Sequence, residues 1–371
     1  CFYSSQTIYA HLKSITFLID NPQKLDYTNS IKLIFEVMYM ATIKDVAQHA
    51  GVSSATVSRV LMNQGNVSEK TAAAVRNSIA LLGYHPNALA RQLRRQHTQT
   101  VYVIIPSIDN AFFSEVYRGI ETEALAHNYQ AFLVNTNNDK NQENLYISAL
   151  VQKQTDGIIS LSATAATSVI ERQVAGLPMV IACQYLENGS LPNVAIDNIA
   201  AAKDAVAHLI SLGHKRIGCL AGPASNVLYR DRLTGYLRAL TDHAIPVNME
   251  YVSYGDSTFQ SGYEMARELL QAHPEITAVF ASGDVMAIGS MKAAKELGRR
   301  IPQDYAVVGF VDLDITQFCD PPLTTIHQPM FEIGKYSMQT LLDLINGNPT
   351  QNQRLLEYQL IVRESTVFHS R

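Results

Sequence analysis

"TIKDVAQHAGVSSATVSRVLMNQGNVSEKT", residues 42–71, sets two short helical patterns on either side of a single glycine. Thr42 stands before the first pattern and Asp45 follows three residues on, the spacing of a capping box. Ile43, Val46, Ala47 and Ala50 recur on one face, and Gly51 permits a tight turn. Ser53 is placed to cap a second helix running to about Met62, with Val57, Val60 and Leu61 facing inward. A turn over 63–66 leads to Ser68, which starts a third helix that Gly83 ends. The outward face of the second helix is Ser54, Ala55, Ser58 and Arg59. Small side chains on a helix bring its backbone close to whatever it faces, and Arg59 can donate two hydrogen bonds to one guanine. Thr42 and Ser53 sit at helix starts, where amide and hydroxyl donors suit phosphate. This is the pattern of a helix-turn-helix that lays its second helix in a major groove. The plainer alternative is a three-helix packing module with a solvated face.

Charge favours the groove. The chain of 371 residues has a net charge of −4, but residues 40–100 alone carry Lys44, Arg59, Lys70, Arg76, Arg91, Arg94 and Arg95 against only Asp45 and Glu69, a net +5. Residues 101–371 sum to −9. A basic head on an acidic body points to a polyanionic partner for the head. The first 39 residues are neutral, show no repeat and no helical or strand period, and begin at Cys1 rather than a methionine. They are expected to be extension sequence, with the working chain starting at Met40 or Met38; a lipid-modified N-terminal cysteine is the less favoured account.

Beyond residue 100 the texture changes to short, continuously apolar runs alternating with amphipathic stretches: "TVYVIIP", "AFLVNT", "DGIISLS", "PMVIAC", "KRIGCLAG", "TAVFASGD" and "YAVVGF". Such runs suit parallel strands buried by helices on both faces. Nine or ten of them in this span exceed one simple sheet, so two similar α/β lobes are expected. Cys1, Cys183, Cys219 and Cys319 are scattered without a CxxC pair, which fits a reducing compartment, and no apolar run approaches a membrane span. A cytoplasmic protein is expected.

"TIKDVAQHAGVSSATVSRVL" and then "GYHPNALARQL" resemble the headpiece of the lactose/galactose repressor (LacI/GalR) family. The likeness continues through "GHKRIGCLAGP", "RLTGY", "SGDVMAIGSM" and "PPLTTIHQP", and covers about residues 40–371. "DITQFCDPPLTTI" looks most like the cytidine repressor branch. The resemblance implies an α/β fold class: a three-helix headpiece over 40–86, a hinge helix over 87–98, and a two-lobed core over 99–371 that resembles periplasmic binding proteins. One lobe is expected at about 99–198 and 328–355, the other at about 199–327 and 356–371. The chain would cross between them near Asn198, His327 and Tyr358. It implies a transcriptional repressor, dimeric through its core, that binds double-stranded operator DNA and answers to a small effector. The branch implies a nucleoside such as cytidine, control of nucleoside uptake and catabolism genes, and joint action with the cyclic AMP receptor protein. A sugar or purine base is the alternative effector. No cofactor, metal or membrane partner is implied.

Carried over position by position, Thr42, Ser53, Thr56 and Asn66 match phosphate contacts, and Ser54, Ala55 and Arg59 match base-reading places, with Ser58 beside them on the same face. In the hinge, Arg91 and Arg94 supply further positive charge, and Leu93 matches the leucine that wedges into the minor groove. In the core, Asn110, Phe112 and Phe113 fall at the family's ligand-stacking place, and Arg232 matches an arginine that reaches polar ligand groups. Asp284 follows a strand at its C-terminal end, where open α/β sheets bind ligands. Phe259 is a further candidate for the cleft. One departure stands out. The family's Gly-Phe-Asp becomes Gly-Phe-Val here, so Val311 replaces the carboxylate that binds effector, with Asp312 after it. A weak effector response is the expected consequence.

Enzyme chemistry finds no support. There is no GxGxxG after a strand, no GxSxG, no Walker loop and no HExxH, and the eleven histidines lack metal-ligand spacing. A transport-type binding protein would need an export signal and would lack the headpiece.

Overall fold

The computed structural model describes residues 41–62, 65, 67–84, 97–162 and 167–367. The chain divides into two compact units, Cys1–Gln96 and His97–Arg371.

In the first unit, α1 (Ile43–Ala50), α2 (Ser54–Leu61) and α3 (Glu69–Leu82) follow the sequence pattern. Thr42 and Asp45 form a complete capping box: the Thr42 backbone N–H and hydroxyl both donate to Asp45 Oδ2 at 2.7 Å. Gly51 and Gly83 both end helices with φ near +60°, a conformation a side chain would strain. Val46, Ala47, Val57 and Val75 form the small core, with Ile43, Ala50 and Val60 against it. Leu61 departs from expectation. At 37% exposed, at the last residue of α2, it lies on the surface.

The second unit holds two parallel sheets. Lobe one has six strands in the order β11-β5-β4-β3-β1-β2: β1 (Thr100–Ile105), β2 (Gln130–Asn135), β3 (Gly157–Ser160), β4 (Met179–Ala182), β5 (Asn193–Ile196) and β11 (Gln353–Leu356). Lobe two has four, ordered β7-β6-β8-β9: β6 (Ile217–Ala221), β7 (Val252–Tyr254), β8 (Ala278–Ala281) and β9 (Ala306–Val308). All seven apolar runs singled out in the sequence are strands. One of them is not buried: β2 is an edge strand, so Phe132 is 48% exposed although its sequence is as apolar as its neighbours.

Helices cover the faces: α4 (Ala111–Ala126), α5 (Lys140–Val151), α6 (Thr167–Val174) and α11 (Met330–Ile345) in lobe one, and α7 (Asn198–Ser211), α8 (Val227–Asp242), α9 (Phe259–Ala272) and α10 (Asp284–Glu296) in lobe two. The chain passes from β5 directly into α7, so it changes lobe at Asp197–Asn198. It returns along β10 (Thr325–His327) into α11, and passes back through β12 (Gln359–Ile361). β10 and β12 pair antiparallel, with Ile326 opposite Leu360, so the second and third crossings form one ribbon. Phe259 opens α9 on the outer surface at 47% exposure, beside Tyr263 and Ile288, and does not line the junction.

Candidate DNA-binding surface and effector cleft

On α2, Ala55 and Arg59 are exposed, while Ser54, Thr56 and Ser58 are half-buried. Ser53 Oγ accepts the Thr56 backbone N–H at 3.1 Å and lies 2.9 Å from its hydroxyl. The capping residues thus hold one another, and before Leu61 at its end the exposed strip of the helix carries one long side chain, the cation Arg59, among small ones. Asn66, Arg91, Leu93 and Arg94 lie outside the described residues.

In the core unit the crevice is set by topology. β1 lies between β2 and β3, and β6 between β7 and β8, so each sheet reverses its strand order at these points. Ligands of open α/β sheets sit beyond the strand ends at such reversals. After β1, Asn110 caps α4 by accepting the Phe112 N–H at 3.0 Å. Phe112 is a core residue, and Phe113 packs against it edge-on, ring centres 5.2 Å apart. Of this expected stacking pair, only Phe113 keeps exposed surface.

Across the crevice, Arg232 on α8 is 3% exposed. Its Nε donates to Asn198 Oδ1 at 3.0 Å and one terminal nitrogen to the Ser282 carbonyl at 2.6 Å. The guanidinium lies 3.8 Å from the ring centre of Phe310. Burial lowers its pKa to about 10. Asn198 stands at the first lobe crossing, so the arginine braces that crossing from lobe two.

Asp284, the first residue of α10, is 1% exposed. Its Oδ1 accepts the Thr325 hydroxyl at 2.6 Å and its Oδ2 the Leu313 N–H at 2.9 Å. Both oxygens are therefore engaged in holding the loop after β9 against β10. That loop is where Val311 sits, with φ +132°, and Asp312, with φ +67°. Positive φ at a β-branched residue is strained backbone. It is held by the Val311 N–H donating to Ile326 and its carbonyl accepting from Gln328. Asp312 does not replace the missing carboxylate. Its Oδ1 accepts Arg363 at 2.7 Å and Thr316 at 3.2 Å, and its Oδ2 lies 3.0 Å from His327 Nδ1.

Two side-chain pairs bridge the lobes near Arg232. Glu187 meets Arg230 at 2.5 Å and the Tyr185 hydroxyl donates to Asp231 at 3.2 Å, joining the loop after β4 to α8.

Residues 42–87 match the family model "Bacterial regulatory proteins, lacI family", and residues 98–361 match "Periplasmic binding proteins and sugar binding domain of LacI family". The chain belongs to the LacI family. It is 43% identical over 328 residues to the HTH-type transcriptional repressor CytR of Escherichia coli (strain K12), covering 88% of this chain and 96% of that one. It is 35% identical to the HTH-type transcriptional repressor PurR of Photorhabdus laumondii, over 88% of this chain and 97% of that one. Among solved structures, the lac repressor dimer bound to operator and an anti-inducer superposes with a TM-score of 0.81 at 29% identity, covering 89% of this chain and all of that one. As a LacI-family member it is a DNA-binding transcriptional repressor. Among the described residues, no helix is long and apolar enough to cross a membrane.

For this LacI-family core, three polar residues at the crevice were not singled out from sequence: Gln184 after β4, Ser282 after β8 and Gln328 after β10. All are buried. The only available signal was their place just past strand ends, which polar loop residues share throughout the chain.

The engaged state of Asp284 has a pH consequence. Burial raises its pKa from 3.8 to about 6, against the opposing effect of its hydrogen bonds. The folded chain therefore holds this proton more tightly than the unfolded chain does. The cost of ionising it is absent below about pH 4 and complete above about pH 6, and amounts to on the order of 3 kcal/mol. Chemical unfolding of Asp284→Asn should show a smaller loss of stability across this window than the native chain. Identical pH profiles would remove Asp284 as the titrating group.

Proposed function

We propose that this repressor is an operator-binding homodimer whose effector is a nucleoside such as cytidine, and that it controls genes of nucleoside uptake and catabolism. The carrying observation is the 43% identity to CytR along nearly the whole length of both chains. In this reading Thr42, Ser53, Thr56 and Asn66 touch phosphates. Ser54, Ala55, Ser58 and Arg59 face base edges, and Arg91, Leu93 and Arg94 meet the minor groove at the operator centre. Asn110, Phe113 and Arg232 line the effector cleft, and Asp284 positions the loop that carries Val311. Phe112 supports the wall from behind. Effector closes the cleft and disfavours the DNA-competent form. By linkage, operator-bound repressor must then bind effector more weakly by the same factor. The same likeness supports joint action with the cyclic AMP receptor protein.

Thermal unfolding against cytidine, uridine, adenosine, hypoxanthine and several sugars tests the effector. A ligand at about 100 times its Kd adds about 2.7 kcal/mol, a shift of several degrees. A shift with cytidine supports the reading; a shift confined to a purine base or a sugar replaces it.

Val311→Asp is the companion prediction. An aspartate there is expected to tighten cytidine binding by roughly 5- to 150-fold, the equivalent of about 1–3 kcal/mol for ligand donors left unpaired beside valine. Titration calorimetry of the two chains checks this, and equal affinities would show that the missing carboxylate is irrelevant.

A further inference from the structure

The chain enters the core unit at His97, through a segment held more tightly than the strand after it requires. β1 begins its pairing at Thr100, opposite Gln130, and meets β3 only from Val101, opposite Gly157. His97, Thr98 and Gln99 lie before both registers, yet one carboxylate gathers them. Asp156, just before β3, has a side chain only 6% exposed. Its Oδ1 accepts the Thr98 N–H at 2.7 Å and the Thr98 hydroxyl at 3.0 Å, and its Oδ2 accepts the Gln99 N–H at 2.9 Å. His97 Nδ1 lies 3.6 Å from Oδ2, and the Tyr129 hydroxyl is a further donor beside it. The Gln99 carbonyl accepts the Gln130 N–H at 2.9 Å, so the segment is fastened from both sides. Two consecutive N–H groups turned onto one carboxylate form an anion nest. Gln99 takes φ +56° within it. Left-handed backbone at a residue other than glycine persists only where the surroundings impose it, and such strain clusters at functional places. Asp156 stands at the N-terminal ends of the strands, away from the crevice, so it has no part in the effector site.

The residues this fastening serves lie upstream. Arg91, Leu93 and Arg94, read above as minor-groove contacts, precede His97 by no more than six residues. Release of 97–99 from Asp156 would lengthen that arm by about 10 Å, the reach of three extended residues. A longer and looser tether dilutes a DNA-binding head near its half-site.

We infer that Asp156 is a positioning residue for operator binding: it clasps the point where the DNA-binding arm leaves the core, and so raises the effective concentration of a dimer's second head once the first is bound. Asp156 acts through the arm and not by touching DNA. The inference rests on the operator-binding homodimer reading above.

The test compares the full chain with Asp156→Ala and Asp156→Asn on two DNA duplexes. One carries a single copy of the half-site that the native chain selects from random DNA, the other an inverted pair of it. Thermal unfolding and sedimentation verify that each variant is folded and as associated as the native chain. The native chain is expected to bind the pair more tightly than the single site. Asp156→Ala should lose roughly 3- to 10-fold on the pair and nothing on the single site. A native chain that binds both duplexes equally removes the homodimer reading, and the clasp with it. Native affinity of Asp156→Ala for the pair overturns the clasp and leaves that reading standing. So does an equal loss on both duplexes, the result of a merely structural role. Should Asp156→Ala fail to fold, Asp156→Asn decides by the same comparison. It keeps the side chain's shape, but its amide nitrogen cannot accept, so Thr98 and Gln99 cannot both be held.

Discussion

Gly334→Ala is expected to destabilise the core unit by about 1–3 kcal/mol or more, the cost typical of overpacking a filled interior. Gly334 on α11 faces α4 so closely that an added Cβ would overlap the Val116 carbonyl oxygen. Gly119 on α4 answers it, where a Cβ would overlap the Phe331 carbonyl. Both clashes are with backbone, which no rotamer change relieves; the helices must separate. Gly119→Ala should therefore behave like Gly334→Ala. Gly283→Ala is the control, since its Cβ would meet only Met286 Cε at 3.6 Å and its φ of −169° is ordinary extended backbone. Thermal unfolding decides. At roughly 2–4 °C per kcal/mol for domains of this size, the two helix variants lose several degrees and the control almost none. Equal melting temperatures would mean that the two helices can part without cost.

Arg59→Ala is expected to lower specific operator affinity by roughly 5- to 150-fold, corresponding to about 1–3 kcal/mol for a bidentate base contact, while nonspecific DNA binding falls far less. Arg59 is the only long cationic side chain on the exposed strip of α2, and it contributes nothing to the headpiece core. Stability should be unchanged for that reason. Ser53→Ala makes a useful contrast. It removes the cap on Thr56 and should cost about 1 kcal/mol of helix stability along with a phosphate contact, so it weakens all DNA sequences alike. Binding curves at two salt concentrations separate the cases. If Arg59→Ala weakened specific and nonspecific DNA equally, Arg59 would be reading phosphate and not bases.

The headpiece was legible because its instructions are local. Thr42 with Asp45, Ser53, Ser68 and the two helix-ending glycines act within four or five residues of themselves, and the structure uses each of them as the spacing indicates. The apolar strands were legible for a similar reason, since burial on both faces leaves a continuous run. Amino-acid order alone therefore determined a helix-turn-helix followed by parallel α/β lobes, and the resemblance to the family marked Val311 as a departure. It did not show that β2 is an edge, because exposure depends on which strand fails to arrive beside it. Nor did it show the β10–β12 ribbon, whose short strands are held by partners more than thirty residues apart. Above all it did not show what each carboxylate does. Asp284 finds its donors 29 and 41 residues away and Asp312 finds Arg363 51 residues away. Whether a carboxylate is free for a ligand or consumed by the fold depends on these distant groups. Only the tertiary structure brings them together.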